Sequence, residues 1–245
     1  MTAKAKAQHI LYELKAHAPF TLLGAVLGLA FMILFSKTGY EGNLSLFKVF
    51  HPAHVVLSAM VTTTLFKLHS TKRRLVLLIL VGYFGSVGVA TLSDIIIPHV
   101  GAHVFGLDIP TEAQIHHMGH EQEIAEAAVH EHETHKMHLG FIEEWYLVNP
   151  AAFLGIAIAY FFPRSKFPHA GHILVSTWAS SAYLLMDMEY TLGWGSAGSV
   201  FITLFISVWL PCCLSDIVFP LLFIKSDVEL TGLCPVCGRG GHIHL

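Results

Sequence analysis

His51-Pro-Ala-His54 begins one apolar segment of this chain, and His169-Ala-Gly-His172 begins another 118 residues later. An apolar segment with a shared proline, leucine and glycine spacing precedes each HxxH motif, and a Ser-Asp-x-x-x-Pro motif follows each one. The first copy contains Pro19, Leu23, Gly24, His51, His54, Ser93, Asp94 and Pro98, and the second contains Pro150, Leu154, Gly155, His169, His172, Ser215, Asp216 and Pro220. The sequence thus holds one three-segment pattern twice, in the same order.

The composition is that of a membrane protein. Hydrophobic residues make up 54% of the chain and charged residues only 13%, whereas soluble domains carry about 25% charged residues. Six stretches approach or exceed the roughly 20 helical residues that span a bilayer: 19–37, 52–69, 75–98, 147–163, 170–188 and 198–224. Three segments per copy is an odd number, so the second copy would enter the membrane from the opposite side. We therefore expect an all-α polytopic membrane protein with six transmembrane helices in a 3+3 inverted-topology repeat.

The distribution of basic residues predicts how the chain is oriented. With the N-terminus inside, eleven of the fourteen lysines and arginines lie on the cytoplasmic side. Such a bias in short loops sets topology by the positive-inside rule. We expect a multi-pass protein of the cytoplasmic membrane with both termini inside. Its parts would be a first repeat at 1–98, an extracytoplasmic His-rich loop at 99–146, a second repeat at 147–224 and a cytosolic Cys/His tail at 225–245.

Each copy offers the donors of an open metal site. Two histidines at i and i+3 share one helix face, imidazole suits zinc and ferrous iron, and a carboxylate completes a borderline-hard donor set. Carboxylates inside apolar helices mark ion or proton paths. The sequence predicts an outer site and an inner site about a bilayer apart, and two further residues at matching positions as proton carriers. These residues are His51, His54 and Asp94; His169, His172 and Asp216; and His69 with Asp187.

Two further regions are rich in metal-binding side chains. The extracytoplasmic loop has the composition of a metal-collecting tract, and the tail holds a CxxC and two histidines typical of a small zinc site. We expect zinc in the tail, with the thiols reduced in the cytosol. The loop residues are His116, His117, His120, His130, His132, His135 and His138, and the tail residues are Cys234, Cys237, His242 and His244.

These patterns favour a transporter of divalent transition-metal ions. Zinc(II) or iron(II) is the favoured substrate and manganese is also compatible, with proton coupling through histidine or aspartate. The chain lacks a P-loop, a G-x-G-x-x-G motif and an HExxH motif, which disfavours nucleotide hydrolysis and zincin proteolysis. We expect metal ions and the lipid bilayer as partners and no nucleic acid, and a homodimer suits so small a bundle. Two alternatives stay open: a membrane-embedded metalloenzyme with di-iron or zinc on the same ligands, and a non-catalytic membrane sensor or subunit.

Overall fold

The computed structural model describes residues 3–69, 75–107, 138–163, 166–188 and 194–213. Within these ranges the regular elements are helices, and the structure has no strand there, which confirms the all-helical prediction. A short π-helical segment, Leu92–Ile96, joins α3 to α4. The α-helices are α1 (Ala3–Phe35), α2 (Gly39–His69), α3 (Leu75–Thr91), α4 (Ile97–Val104), α5 (Gly140–Glu143), α6 (Trp145–Phe161), α7 (Lys166–Asp187) and α8 (Trp194–Cys213).

In the ranges that the structure describes, three stretches of helix are long and apolar enough to cross a membrane: His17–Phe35, Gly39–Lys67 and Leu75–Val104. Two shorter apolar helices, Trp145–Phe161 and Gly195–Pro211, accompany them. The described surface is apolar, with large side chains such as Leu34, Val76 and Phe161 exposed, while histidine, aspartate and hydroxyl side chains are buried. Apolar surface around a polar interior suits a lipid environment rather than water.

The second helix begins well before the apolar segment that predicts it. From the apolar stretch 52–69 we expect a helix that begins near residue 52, with His51 and His54 at its end. Instead Pro52 lies inside α2, which begins at Gly39 and includes the more polar residues 39–50. His54 is consequently the middle residue of this 31-residue helix. The expectation that the first HxxH lies at a helix end is wrong.

The third helix also extends past its predicted end. Pro98 is the second residue of α4, so the helical path continues to Val104 instead of stopping at residue 98. His99 and His103 therefore lie on a helix, although we assign them to the loop from the sequence. Proline is tolerated here because Pro98 is in the first turn of α4 and directly follows the π-helical segment. The regular hydrogen-bond ladder that needs an N–H is already interrupted at this point.

α2 and α7 form the centre of the bundle and run antiparallel. Along α2, Phe47 contacts Tyr183, Phe50 contacts Trp178 and His54 contacts His172, so residue numbers fall along α7 as they rise along α2.

Each of these two central helices is flanked by a parallel neighbour. α1 runs parallel to α7, with Gly24 packed against Ile173 and Thr177. α6 runs parallel to α2, with Gly155 packed against Val56 and Ala59. Glycines at these two positions let the helix backbones approach closely.

Candidate functional site

A buried carboxylate holds two histidines at the centre of the bundle. The Nδ1 atoms of His51 and His54 lie 2.9 and 2.7 Å from Oδ2 of Asp94. All three side chains are at most 1% exposed. The spacing of three residues on α2 brings both rings to one helix face. The carboxylate accepts from both rings at once, which fixes their orientation.

The other oxygen of Asp94 is held by serines from two helices. Oδ1 accepts hydrogen bonds from Ser93 Oγ at 2.7 Å and from Ser176 Oγ at 3.0 Å. Ser176 is on α7, in the second copy of the sequence pattern. The carboxylate is therefore saturated by four donors, which offset the large cost of burying its charge.

The π-helical segment explains how Asp94 reaches this position. The backbone N–H of Ile97 donates to the carbonyl of Leu92, a five-residue step that widens the helix by one residue. In the same register the carbonyl of Ser93 would pair with Pro98, which has no N–H. Ser180 Oγ donates to that carbonyl instead, at 3.0 Å. A hydroxyl of α7 thus satisfies the backbone carbonyl that the proline leaves without a donor. Short π-helical segments of this kind often accompany functional sites.

The second HxxH motif contributes to the same cluster. The ring of His172, which is fully buried, lies with its centroid 4.6 Å from that of His54. We name His51, His54, Asp94 and His172, with Ser93 and Ser176, the central cluster. The structure thus brings together two residues that we assign from the sequence to sites a bilayer apart, because α2 places its HxxH at mid-helix where α7 crosses it.

On the α2 side of the central cluster, two ring nitrogens lack partners in the described ranges. Nε2 of His51 and Nε2 of His54 are buried, and neither has a hydrogen-bond partner among the described residues. Both rings have Nδ1 on a carboxylate, which is the arrangement that orients metal-binding histidines and leaves Nε2 as the ligand atom. As placed, however, no three His, Cys, Asp or Glu side chains of the described ranges are arranged to hold one metal ion.

His138, Glu143 and Glu144 form a second polar group beside the central cluster, at the point where the His-rich connection ends. His138 Nε2 donates to Oε1 of Glu144 at 2.8 Å, and Nδ1 of His138 contacts Glu143. Burial favours the neutral imidazole, but the hydrogen bond to Glu144 and the charges of Glu144 and Glu143 outweigh it and raise the pKa of His138, against the opposing charge of Lys48. Glu144 is only 3% exposed.

Of the two proton-carrier candidates, Asp187 and His69, the structure describes the side chain of Asp187. Asp187, at the end of α7, pairs with Nδ1 of His99 at 2.7 Å, in a partly exposed position. His69 ends α2, and the structure does not describe its side chain.

The remaining predicted ligands fall elsewhere in the chain. His169 lies on α7, but its side chain is also undescribed. Asp216, the loop histidines from 116 to 135 and the four tail residues lie outside the described residues.

Sequence reasoning misses the partners that come from distant segments. Ser176 and Ser180 match Ser58 and Thr62 in the repeat, but we read them as packing residues, since small hydroxylated residues commonly allow helices to pack closely. Glu144 carries no motif at all. Its position directly before an apolar stretch is the one local sequence signal that could have drawn attention to it.

No family model matches this chain, and the curated proteins and solved structures compared with it give no significant match either.

Proposed function

We propose that the protein transports divalent transition-metal ions across the cytoplasmic membrane, with zinc or ferrous iron favoured and manganese compatible. The transporter would be built from six helices in a 3+3 inverted repeat, with both termini inside. One central site replaces the two separate sites that the sequence suggests. The buried Nε2 atoms of His51 and His54 carry this proposal, because they have no partner among the described side chains and their rings are held by a carboxylate as in metal-binding histidines.

Reciprocal packing supports the inverted repeat. Gly24 and Gly155 are equivalent in the two copies, and each packs on the central helix of the other copy. Their contacts include Thr177 and Ala59, which are themselves equivalent positions. Exchange of equivalent contacts is the mark of a twofold relation. Because the equivalent helices α2 and α7 run antiparallel, the twofold axis that relates them is perpendicular to the helix axes.

The location of the cluster also supports transport. Inverted-repeat transporters bind their substrates near the bilayer midplane, at the interface of the repeats, beside interrupted helices. Here the cluster lies where α2 meets α7, beside the π-helical segment that carries Asp94. Because no three donors of the described ranges are arranged to hold one ion, cation binding would require the rings to move.

Proton coupling and the outlying regions belong to the proposal as well. Imidazole binds metal only when neutral, so proton movement through Asp187 or His69 could be linked to metal release. The loop histidines would collect ions, and the tail would hold a structural zinc on Cys234, Cys237, His242 and His244. Elemental analysis of full-length and tail-truncated protein tests the last point: one zinc per chain should disappear with the tail.

Flux into vesicles tests the central site. In reconstituted vesicles, Asp94→Ala and His54→Ala should abolish zinc and iron flux. His103→Ala, which changes an exposed histidine of α4, should leave flux unchanged. Wild-type flux in both cluster variants would rule out the site, and absence of flux for every metal with folded wild-type protein would rule out the transporter.

The contact of His54 with His172 favours one alternative, a membrane-embedded metalloenzyme with di-iron or zinc. Such a centre needs ligands from both copies on metals about 3.5–4 Å apart. The convergence of the two HxxH motifs is compatible with this. Purified protein would then retain stoichiometric metal through dialysis, with an optical signature for iron, whereas a transporter would lose it.

A further inference from the structure

The short helix α5 covers the central cluster on the side of His51. Gly140 is buried, and a Cβ placed on it would lie 3.0 Å from Cδ2 and 3.2 Å from Nε2 of His51. The backbone of Gly140 therefore lies directly against the ring edge that bears the partnerless nitrogen. A larger residue would push against this edge, so glycine permits a tight cover.

Glu144 follows this cover and connects it to the bundle. Its Oε1 accepts from His138 and lies 3.9 Å from Nζ of Lys48 on α2. Its Oε2 would lie 3.2 Å from the same Cβ position on Gly140 that neighbours His51. One carboxylate oxygen thus faces the side chains of Lys48 and His138, and the other faces the edge of the cluster.

The neighbours of Glu144 differ in how easily they can leave. The carboxylate is buried, so it requires a compensating positive charge. The side chain of Lys48 is 39% exposed, on a flexible four-carbon stem. His138 is attached to the residue 108–137 connection, which precedes it in the chain. The lysine can be displaced into solvent by a stronger cation without unfolding any helix.

We propose that Gly140, Glu144 and Lys48 form a gate through which a divalent cation reaches His51, with the Lys48 ammonium occupying the place of the cation when the gate is closed. An arriving ion would displace Lys48 from Glu144 and then meet the Nε2 atom of His51 beneath Gly140. This gate rests on the proposed transport function, and it assigns cation entry to residues outside the central cluster.

Thiol labelling tests the gate without relying on flux. The full chain carries His51→Cys as reporter, with the four native cysteines changed to serine, in sealed vesicles. A charged, membrane-impermeant thiol reagent is added on the side of the residue 108–137 connection. Glu144→Gln should label about tenfold faster than the parent, the change expected from losing one charge-assisted hydrogen bond. The control Glu41→Gln changes an exposed carboxylate at the start of α2 and should label at the parent rate.

Zinc ion alone provides a second readout, which a purely structural cap would not change. Zinc should slow the labelling of the parent, Lys48→Met should reach the same protection at lower zinc concentration, and Glu144→Gln should abolish it. If Glu144→Gln does not fold, Glu144→Asp keeps the charge, shortens the side chain and should weaken the protection. Equal labelling of the two glutamine variants, or no effect of zinc on any variant, would overturn the gate. A gate that passes these tests while wild-type protein moves no metal would refute transport alone.

Discussion

The imidazole rings of His54 and His172 contact each other with their centroids 4.6 Å apart and their planes tilted by 38°. The two residues hold the same place in the two copies of the sequence pattern. In a pair of units related by a twofold axis, a residue meets its own equivalent only at the axis. This contact therefore marks the centre of the proposed repeat, and it joins the two HxxH motifs into one cluster.

A double-mutant cycle tests whether the two rings depend on each other. His54→Ala and His172→Ala should each destabilise the protein, and the double variant should lose about 1 kcal/mol less than the two single losses combined. The measurement is thermal unfolding in detergent. His172→Ala combined with His103→Ala, which involves an exposed residue, should be additive. Additivity in both pairs would mean that the contact contributes no coupling.

Asp94 should be the most sensitive residue of the cluster. Asp94→Asn removes the charge that accepts from His51 and His54, so the rings lose their anionic partner inside the bundle. We expect a loss of about 3 kcal/mol in the free energy of unfolding. Asp187→Asn weakens one partly exposed hydrogen bond with His99 and should cost about 1 kcal/mol or less. Equal losses measured by denaturant titration would contradict the buried network.

How far the sequence predicts this cluster depends on chain distance. His51 and His54 share a face because of their spacing alone. Asp94 is 40 residues from His54, and it is the repeated order of the HxxH and Ser-Asp-x-x-x-Pro motifs that groups it with them. The donors Ser176 and Ser180, by contrast, are 82 or more residues from their acceptors. Helical periodicity carries no information about such pairs.

The start of α2 illustrates a second limit. Residues 39–50 include Glu41 and Lys48 and therefore resemble a loop between apolar segments. Tertiary packing overrides this local pattern: Phe47 is fully buried against Tyr183 and stacks on His51, so the chain stays helical back to Gly39. That extension is what moves His54 from a helix end to mid-helix.

Ser176 and Ser58 form a matched pair for testing the hydrogen bond to Asp94. Both are fully buried and equivalent in the repeat, but Ser176 donates to Asp94, whereas Ser58 Oγ has no partner in the described part of the chain. Ser176→Ala should cost about 1–2 kcal/mol, and Ser58→Ala should be close to neutral. A comparable loss for Ser58→Ala in thermal unfolding would show that its hydroxyl is satisfied after all.

Glycine substitutions test the close approach of α6 to α2. A Cβ at Gly155 would overlap the backbone carbonyl of Val56, which cannot move independently of its helix. Gly155→Ala should therefore destabilise the protein by about 2 kcal/mol. Gly88→Ala, at a helical position with nothing within 4 Å, should be neutral or stabilising by up to about 1 kcal/mol. Similar stabilities for the two variants would disprove the tight helix contact.

The pair of His138 with Glu144 predicts a pH-dependent gate. Burial lowers the pKa of His138, but Glu144 and Glu143 together raise it above its ordinary value of 6.5, despite Lys48. A raised pKa means that the pair stabilises the closed gate fully below about pH 6.5 and loses this contribution as the pH rises through the folded-state pKa. Labelling of the His51→Cys reporter, divided by that of an exposed cysteine at position 41, should therefore increase with pH over this window. His138→Gln should remove the increase, because glutamine does not titrate. A ratio that falls with rising pH, or that rises equally in His138→Gln, would show that another group controls access to His51.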